Sequence, residues 1–457
     1  MSTFDLAIIG AGPGGFEAAL RARELGFKAA LIEKSEPGGT CLNTGCIPTK
    51  TLLASTKFLT KIKNAESLGL PPVTARQDLT ALFQRKNRVV ESLRKGMLDS
   101  LHRSGVEWIS GQASFAAKNR LLVESEGKSR EVEFQSAIIA TGSLAMPFPG
   151  VPFDGESILS STDLLNLPRP FERLLIIGGG VVGVEFASIF QPLGVSVVIV
   201  EMLPRLIPGE DEEVARRLES IFSRKGIEVH TGEKVKSLKT QGGRVEAALE
   251  SGKKLDAGKV LVATGRRAHT EGLGLERIGI KTEKGSIGVN EYFETSVSGI
   301  FAIGDVTNRS TGLAHGASAE AIAVVEGLKG QKRRIDRDAI PSCIYSDPEV
   351  ASVGAYRSAP EKPKAGIVEC KVLFAGIGKS QVEGETEGFI KMMASKKDGR
   401  ILGVTGIGAH LSELIHEGVL AVKAGLDVKT VAETVHAHPT QSEIFQKAAQ
   451  RIANELS

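Results

Sequence analysis

"FDLAIIGAGPGGFEAALRARELGFKAALIEK" (residues 4–34) is an apolar run, a glycine cluster, a helix-patterned stretch and a second apolar run ending in Glu33. The same order returns in "RLLIIGGGVVGVEFASIFQPLGVSVVIVE" (173–201), which ends in Glu201. From first glycine to closing acid the spacing is identical, 33 − 10 = 23 and 201 − 178 = 23. Each copy is followed later by an Ala-Thr-Gly after an apolar run: Ala140-Thr141-Gly142 and Ala263-Thr264-Gly265. Strand, glycine turn, helix, strand is a βαβ unit with a parallel sheet. The repeat therefore predicts an α/β chain with two Rossmann-like dinucleotide-binding layers. A lone GxGxxG says little, but here each copy follows a strand, opens a helix and has its acid about 20 residues on.

Each glycine has a distinct expected task. Gly10 and Gly178 allow the tight turn, Gly12 and Gly180 the close approach of a pyrophosphate, and Gly15 and Gly183 close helix–strand packing. Backbone N–H groups at the positive end of the helix dipole meet the phosphates. Glu33 and Glu201 each accept hydrogen bonds from an adenosine ribose. A carboxylate at Glu201 repels a 2′-phosphate and so favours NAD over NADP, with Arg205 four residues later placed to offset this in part.

Working outward, 457 residues correspond to about three domains at ~150 residues each. Leu79, Leu82, Val90, Leu93, Met97 and Leu101 mostly follow helical spacing in a segment rich in Arg and Lys, which reads as a packed helix with a solvated basic face. "LAMPFPGVPFDG" (144–155) reads as a linker into the second unit. From about Asp336, strand-like runs followed by helix-like segments indicate a separate α+β domain. The charge balance, 57 basic against 54 acidic residues, is far from that of a dedicated nucleic-acid binder. The longest apolar stretch (174–190) holds Glu185 and several glycines, which argues against a membrane span. The start lacks a basic n-region, and four cysteines make no secreted disulfide framework; a cytoplasmic protein is expected.

Two of those cysteines lie five positions apart in "GGTCLNTGCIPTK" (38–50). A structural zinc site needs about four ligands in paired spacing, and Cys343 and Cys370 are isolated, so no metal is expected. A staple closing so short a loop removes only ~2 kcal/mol of chain entropy. In a regular helix, residues five apart have Cα atoms ~8.6 Å apart, whereas a disulfide needs roughly 4.4–6.8 Å. A Cys41–Cys46 bridge thus requires an irregular turn, which Gly45 and Pro48 permit. A strained bond is easily reduced, and a dithiol between two dinucleotide layers reads as an electron relay.

This stretch resembles the redox motif of the flavin-dependent pyridine nucleotide-disulfide oxidoreductases, most closely that of the dihydrolipoamide dehydrogenases. The likeness extends through "GRRAHTEGLGLE" (265–276), "GIFAIGDV" (299–306), "YSDPEVASVG" (345–354) and "HAHPTQSE" (436–443). The resemblance implies a homodimer that oxidises dihydrolipoyl groups on a lipoyl domain or carrier protein of a 2-oxo acid dehydrogenase or related complex. It implies FAD in residues 1–147 completed by 266–335, NAD in 148–265, and a dimerisation domain in 336–457. Cys46 is then the flavin-proximal thiolate and Cys41 the sulfur that exchanges with substrate. Lys50, paired with Glu185, lies by the flavin, and Asp305 bonds its ribityl chain. Thr141, Gly142, Gly304, Ala314 and Gly265 are further cofactor-binding positions. His438 of the other subunit is the base, oriented by Glu443, and thiol chemistry near pH 7 needs such a group. His436 competes for that role, but the residue before Pro439 is the match, and His438-Pro439 is a candidate cis bond.

Other relatives fit less well. Glutathione reductases usually carry a tyrosine at the position of Val181 and arginines near Glu201, mercuric reductases a C-terminal cysteine pair, and soluble transhydrogenases lack the redox cysteines. Two departures, Gly316 where a lysine is usual and the threonines Thr44, Thr49 and Thr51 in the redox motif, leave room for a specialised paralogue. The alternatives are an NAD(P)H-dependent reductase of another small disulfide and an idle flavoprotein subunit.

Overall fold

The computed structural model describes residues 2–74, 77–358 and 366–457. They form two compact units, each assembled from separated stretches: residues 1–51, 80–146 and 265–335 in the first, and 52–79, 147–264 and 336–457 in the second.

The first unit is built on a parallel sheet of β1 (Ser2–Ile9), β2 (Ala29–Glu33), β3 (Glu107–Ser110) and the end of β6 (Lys128–Ile139), in the order β3-β2-β1-β6. The short strand Ile300–Ala302 pairs parallel to β6, returning the chain to this sheet after an excursion of more than a hundred residues. Both faces are covered, which is why these strands read as unbroken apolar runs. Leu6, Ile8, Leu31 and Ile138 pack on one face with α1 (Pro13–Glu24), while Ala7, Ile9, Ala30 and Ile139 pack on the other. Helix α1 starts with Pro13 in its first turn and carries Arg21 and Arg23 in its last, both favourable placements. At Gly14 a side chain would meet Ile303 and Ala317 at 3.1–3.3 Å, so this glycine lets α1 lie close to the helix Ala314–Leu328. The strands β4 (Gln112–Ala117) and β5 (Arg120–Ser125) add an antiparallel extension to the start of β6.

Strand β1 has β2 on one side and β6 on the other. The carboxyl end of such a strand, where successive crossovers diverge, opens the crevice in which α/β sheets bind ligands.

In the second unit, the strands Arg173–Ile177, Ser196–Glu201, Glu228–Thr231, Lys259–Val262 and Ile158–Leu159 form a parallel sheet with Arg173–Ile177 in the middle. A three-stranded antiparallel sheet (residues 235–257) covers one face, with Val245, Ala247 and Leu255 packed against Leu175, Val198 and Val260. Residues 342–408 supply a five-stranded antiparallel sheet, which packs with the helices Leu411–Ala424 and Glu443–Leu456 around Phe374, Ile390, Val404 and Phe445.

Candidate functional site

The two glycine turns are near copies. Gly10 has φ +101° and Gly178 φ +109°, conformations that side chains rarely adopt. A Cβ at these positions would lie 2.5 Å from the Ala140 oxygen and 2.4 Å from the Ala263 oxygen. The Ala-Thr-Gly after each repeat is therefore the wall against which its first glycine turns. At Gly15 and Gly183 a Cβ would fall 1.8 and 2.0 Å from the carbonyl of the first glycine, so helix and strand touch backbone to backbone. At Gly180 nothing lies within 4 Å, and at Gly12 the nearest atom is 4.0 Å away. The middle glycine of each turn thus faces open space beside a helix N-terminus, which suits a pyrophosphate.

Glu33 and Glu201 both bend back onto their turns. Glu33 accepts from the Ala11 N–H at 2.8 Å and the Ser35 N–H at 3.0 Å. Glu201 accepts from the Gly179 N–H at 2.6 Å and the Leu203 N–H at 2.7 Å. Both acids are buried, and since a carboxylate offers about four lone-pair sites, each keeps capacity for a ribose hydroxyl. Arg205, four residues on, donates one guanidinium nitrogen to the Pro208 carbonyl at 3.1 Å.

In the first unit, the later segments gather around Asp305. Its carboxylate accepts from Ser143 Oγ at 2.7 Å and Ser310 Oγ at 3.1 Å. Arg266, absent from the expectations above, donates to both Ser143 Oγ and the Ser143 carbonyl at 2.7 Å. Burial pulls its pKa down, opposed by the charge of Asp305, and its bonds to Ser143 link two motifs far apart in sequence. Thr141 Oγ1 donates to the His269 carbonyl at 2.7 Å, and the Gly142 carbonyl accepts the His269 N–H at 2.9 Å. The Gly265 carbonyl accepts the Met146 N–H at 3.1 Å. Gly304 (φ +69°) donates its N–H to the buried Glu320 at 2.7 Å, another partner the motif did not announce. Ala314 opens the helix Ala314–Leu328. At Gly316 a Cβ would collide with Thr311 Oγ1 at 2.2 Å.

The cysteines bracket a helix break. Helix α2 (Gly39–Thr44) stops at Gly45 (φ −141°, ψ −110°), and α3 (Cys46–Lys63) restarts at once. A Cβ on Gly45 would lie 2.9 Å from the Thr40 carbonyl oxygen. Cys41 and Cys46 are thiols here, hydrogen-bonded to one another. That bond, together with burial, pushes the Cys41 pKa far above the ordinary thiol range, while Lys50, one turn into α3 from Cys46, pulls the other way. For thiol–disulfide exchange near neutrality, the attacking thiol needs a base. Asn43 holds the turn by donating to the Pro37 and Gly39 carbonyls at 2.9 Å, and Arg94 donates to it at 2.8 Å. The hydroxyls of Thr49 and Thr51 donate to the Gly45 and Ile47 carbonyls one turn back.

The second unit holds the histidine pair. His438 Nδ1 lies 3.1 Å from Glu443 Oε2, and its imidazole is 76% exposed. The Thr440 N–H, at 2.8 Å from Glu443 Oε1, and His438 hold the Glu443 carboxyl below its usual range. The His438-Pro439 bond is cis, as is Asp347-Pro348. Glu185 is buried in the helix Val181–Phe190 and accepts from the Tyr345 N–H at 3.0 Å. Glu383, Glu385 and His410 converge within 4.8 Å, but Lys379 and Lys61 pair with the two carboxylates, so the group reads as an ion-pair network.

Comparison with known proteins agrees over the whole length. Residues 4–321 match the family model described as pyridine nucleotide-disulphide oxidoreductase, and residues 340–449 that of the same family's dimerisation domain. A dihydrolipoyl dehydrogenase of Chlamydia muridarum is 39% identical, over 98% of this chain and 96% of its own. One of Bacillus subtilis is 38% identical over 98% and 97%. Among solved structures, LpdA from Mycobacterium tuberculosis superposes with a TM-score of 0.92 at 26% identity, covering 99% of this chain and 100% of that one. The Cu(II) complex of the HOCl-induced flavoprotein disulfide reductase RclA from Escherichia coli superposes with a TM-score of 0.89 at 28% identity, with coverage of 99% and 100%.

Proposed function

This chain belongs to the pyridine nucleotide-disulphide oxidoreductase family, and we propose the following roles for its residues in the reaction of a dihydrolipoyl dehydrogenase. The enzyme oxidises a dihydrolipoyl dithiol to the disulfide and reduces NAD, with FAD as its flavin. It works as a homodimer. Among the described residues, no helix is long and apolar enough to cross a membrane.

The first glycine turn, Glu33, Thr141, Gly142, Gly265, Gly304, Asp305 and Ala314 hold FAD; Gly178, Gly180, Gly183 and Glu201 hold NAD. Lys50 places a positive charge by the flavin. When bound, FAD accepts two electrons from the protein dithiol and delivers them to NAD. His438 of the partner subunit takes a proton from the substrate thiol through its exposed Nε2, while Glu443 fixes the ring from Nδ1. The substrate thiolate attacks Cys41 of the Cys41–Cys46 disulfide and releases the Cys46 thiolate. The second substrate thiol then closes on the first sulfur and releases Cys41, which takes up that thiol's proton, while the first proton stays on the His438 imidazolium as counter-charge to the Cys46 thiolate. The net change is one dithiol oxidised and one disulfide reduced. The substrate is carried on a lipoyl domain or lipoyl carrier protein of a 2-oxo acid dehydrogenase or related complex, in the cytoplasm.

The observation that carries this reading is the pair of cysteines set side by side at the Gly45 helix break. Steady-state assays with free dihydrolipoamide and NAD test it. Parent enzyme should form NADH, and His438→Gln should lose about two to four orders of magnitude in turnover. Near-parental turnover by that variant would remove His438 from the role. Activity only with another disulfide, such as glutathione disulfide, would transfer the protein to a reductase function.

A further inference from the structure

Two residues before His438 stands a second histidine–carboxylate pair with no task in the reaction above. His436 Nδ1 lies 2.9 Å from the Thr434 carbonyl oxygen and Nε2 3.0 Å from Glu417 Oε1. Its imidazole is 6% exposed, against 76% for His438. Val435, Ala437, His438 and Pro439 are all exposed, so His436 is the member of this segment that turns inward. A carbonyl oxygen only accepts, so Nδ1 carries a hydrogen. At Nε2 the ring either donates to the carboxylate or accepts from the protonated acid. In both cases one proton bridges the pair, and neither nitrogen can serve a substrate. Burial raises the Glu417 carboxyl above its usual range.

The placement gives the pair mechanical meaning. The segment is tied to the helix Glu443–Leu456 by Gln446, which donates to the Thr434 carbonyl at 2.7 Å, and by Glu443, which accepts from the Thr440 N–H. His436 ties it to a different helix, Leu411–Ala424, which carries Glu417. We propose that His436 and Glu417 are positioning residues for dithiol oxidation: they clamp the loop 434–440 between two helices and so fix the direction of His438 Nε2. This rests on His438 being the base.

The test uses the FAD-loaded dimer and two reactions. Oxidation of dihydrolipoamide needs the base; reduction of ferricyanide by NADH does not. His436→Leu should lower kcat for dihydrolipoamide about tenfold to a hundredfold, the range expected of a misaligned catalytic group, while ferricyanide reduction stays within about twofold. Glu417→Ala should reproduce this split. Glu417→Gln, whose amide can still donate to Nε2, should restore dihydrolipoamide turnover to within about threefold of parent. Unchanged dihydrolipoamide turnover in His436→Leu, equal loss of both reactions, or failure of Glu417→Gln to restore turnover would each overturn the proposal. A separate outcome tests its premise: if His438→Gln keeps dihydrolipoamide turnover, the assignment of the base falls, whatever the His436 variants do.

Discussion

The second glycine turn allows packing and binding to be separated by two single-methyl substitutions. At Gly183 a Cβ would sit 2.0 Å from the Gly178 oxygen and 3.2 Å from Ile176 Cγ2, and real Cβ contacts essentially never fall below 3.0 Å. The helix Val181–Phe190 must therefore retreat from the strand Arg173–Ile177 by 3.0 − 2.0 = 1.0 Å or more. Overpacking of this kind costs about 1–3 kcal/mol, and a shift of that size at a binding turn weakens function about a hundredfold. Gly180 is different. Its φ of −75° and ψ of −170° suit any residue, and nothing lies within 4 Å of its added Cβ. Gly180→Ala should leave stability within about 0.5 kcal/mol. If a pyrophosphate crosses that open space, the methyl still blocks it and NADH affinity falls about tenfold or more. Thermal unfolding and calorimetric NADH titration of the FAD-loaded variants separate the two effects. Parental NADH affinity in Gly180→Ala would refute the placement of the phosphates, and parental stability in Gly183→Ala would refute the packing argument.

Two other outcomes follow from the same geometry. Cys46→Ser should abolish the long-wavelength absorbance of the two-electron-reduced enzyme, read by anaerobic titration with dihydrolipoamide; a persisting band would assign that absorbance elsewhere. Glu349, though burial alone would raise it, is held below its usual value of 4.5 by Lys57 at 2.7 Å and by Ser412. Because the folded pKa is the depressed one, this contribution is present above pH 4.5 and lost as pH falls through the folded value. Glu349→Gln should therefore lower stability at neutral pH by about 1–3 kcal/mol and flatten the acid limb of the stability profile below pH 4.5. An unchanged acid limb measured by denaturant unfolding would show that Glu349 does not supply it.

What could be read from sequence was local and repeated. The two βαβ units declare themselves because strand, turn and helix are contiguous, and the break at Gly45 follows from the mismatch between helix rise and disulfide reach. The antiparallel strands between residues 112 and 125, and those between 235 and 257, stayed hidden. They are short, carry Arg, Lys and Glu on their open face, and resemble loops when taken alone. The strands Ser342–Ile344 and Glu349–Gly354 were obscured by the Asp347-Pro348 bend between them. Arg266, Glu320 and Glu417 went unnoticed because their partners lie 123, 16 and 19 positions away, and nothing in their own neighbourhood marks them. Arg205 stands at a suggestive spacing from Glu201, and one of its guanidinium nitrogens donates to the nearby Pro208 carbonyl.

The equal spacing of the two acids has a mechanical origin that also bears on cofactor choice. Gly10 donates to the Ile32 carbonyl at 2.8 Å and Gly178 to the Val200 carbonyl at 2.9 Å, so the next residue of the neighbouring strand, Glu33 or Glu201, necessarily lies beside the turn. A carboxylate buried there must be satisfied, and the free N–H groups of the turn are the donors at hand. Each acid thus braces its own turn before any ligand arrives, which lowers the ordering cost of binding. At Glu201 the brace has a second consequence. A ribose hydroxyl can donate to the lone pairs that remain, whereas a 2′-phosphate in the same place meets a buried negative charge that the turn holds fixed and cannot swing aside. If Glu201 takes the ribose of NAD as proposed, discrimination between the two nicotinamides would reside in the turn's own support.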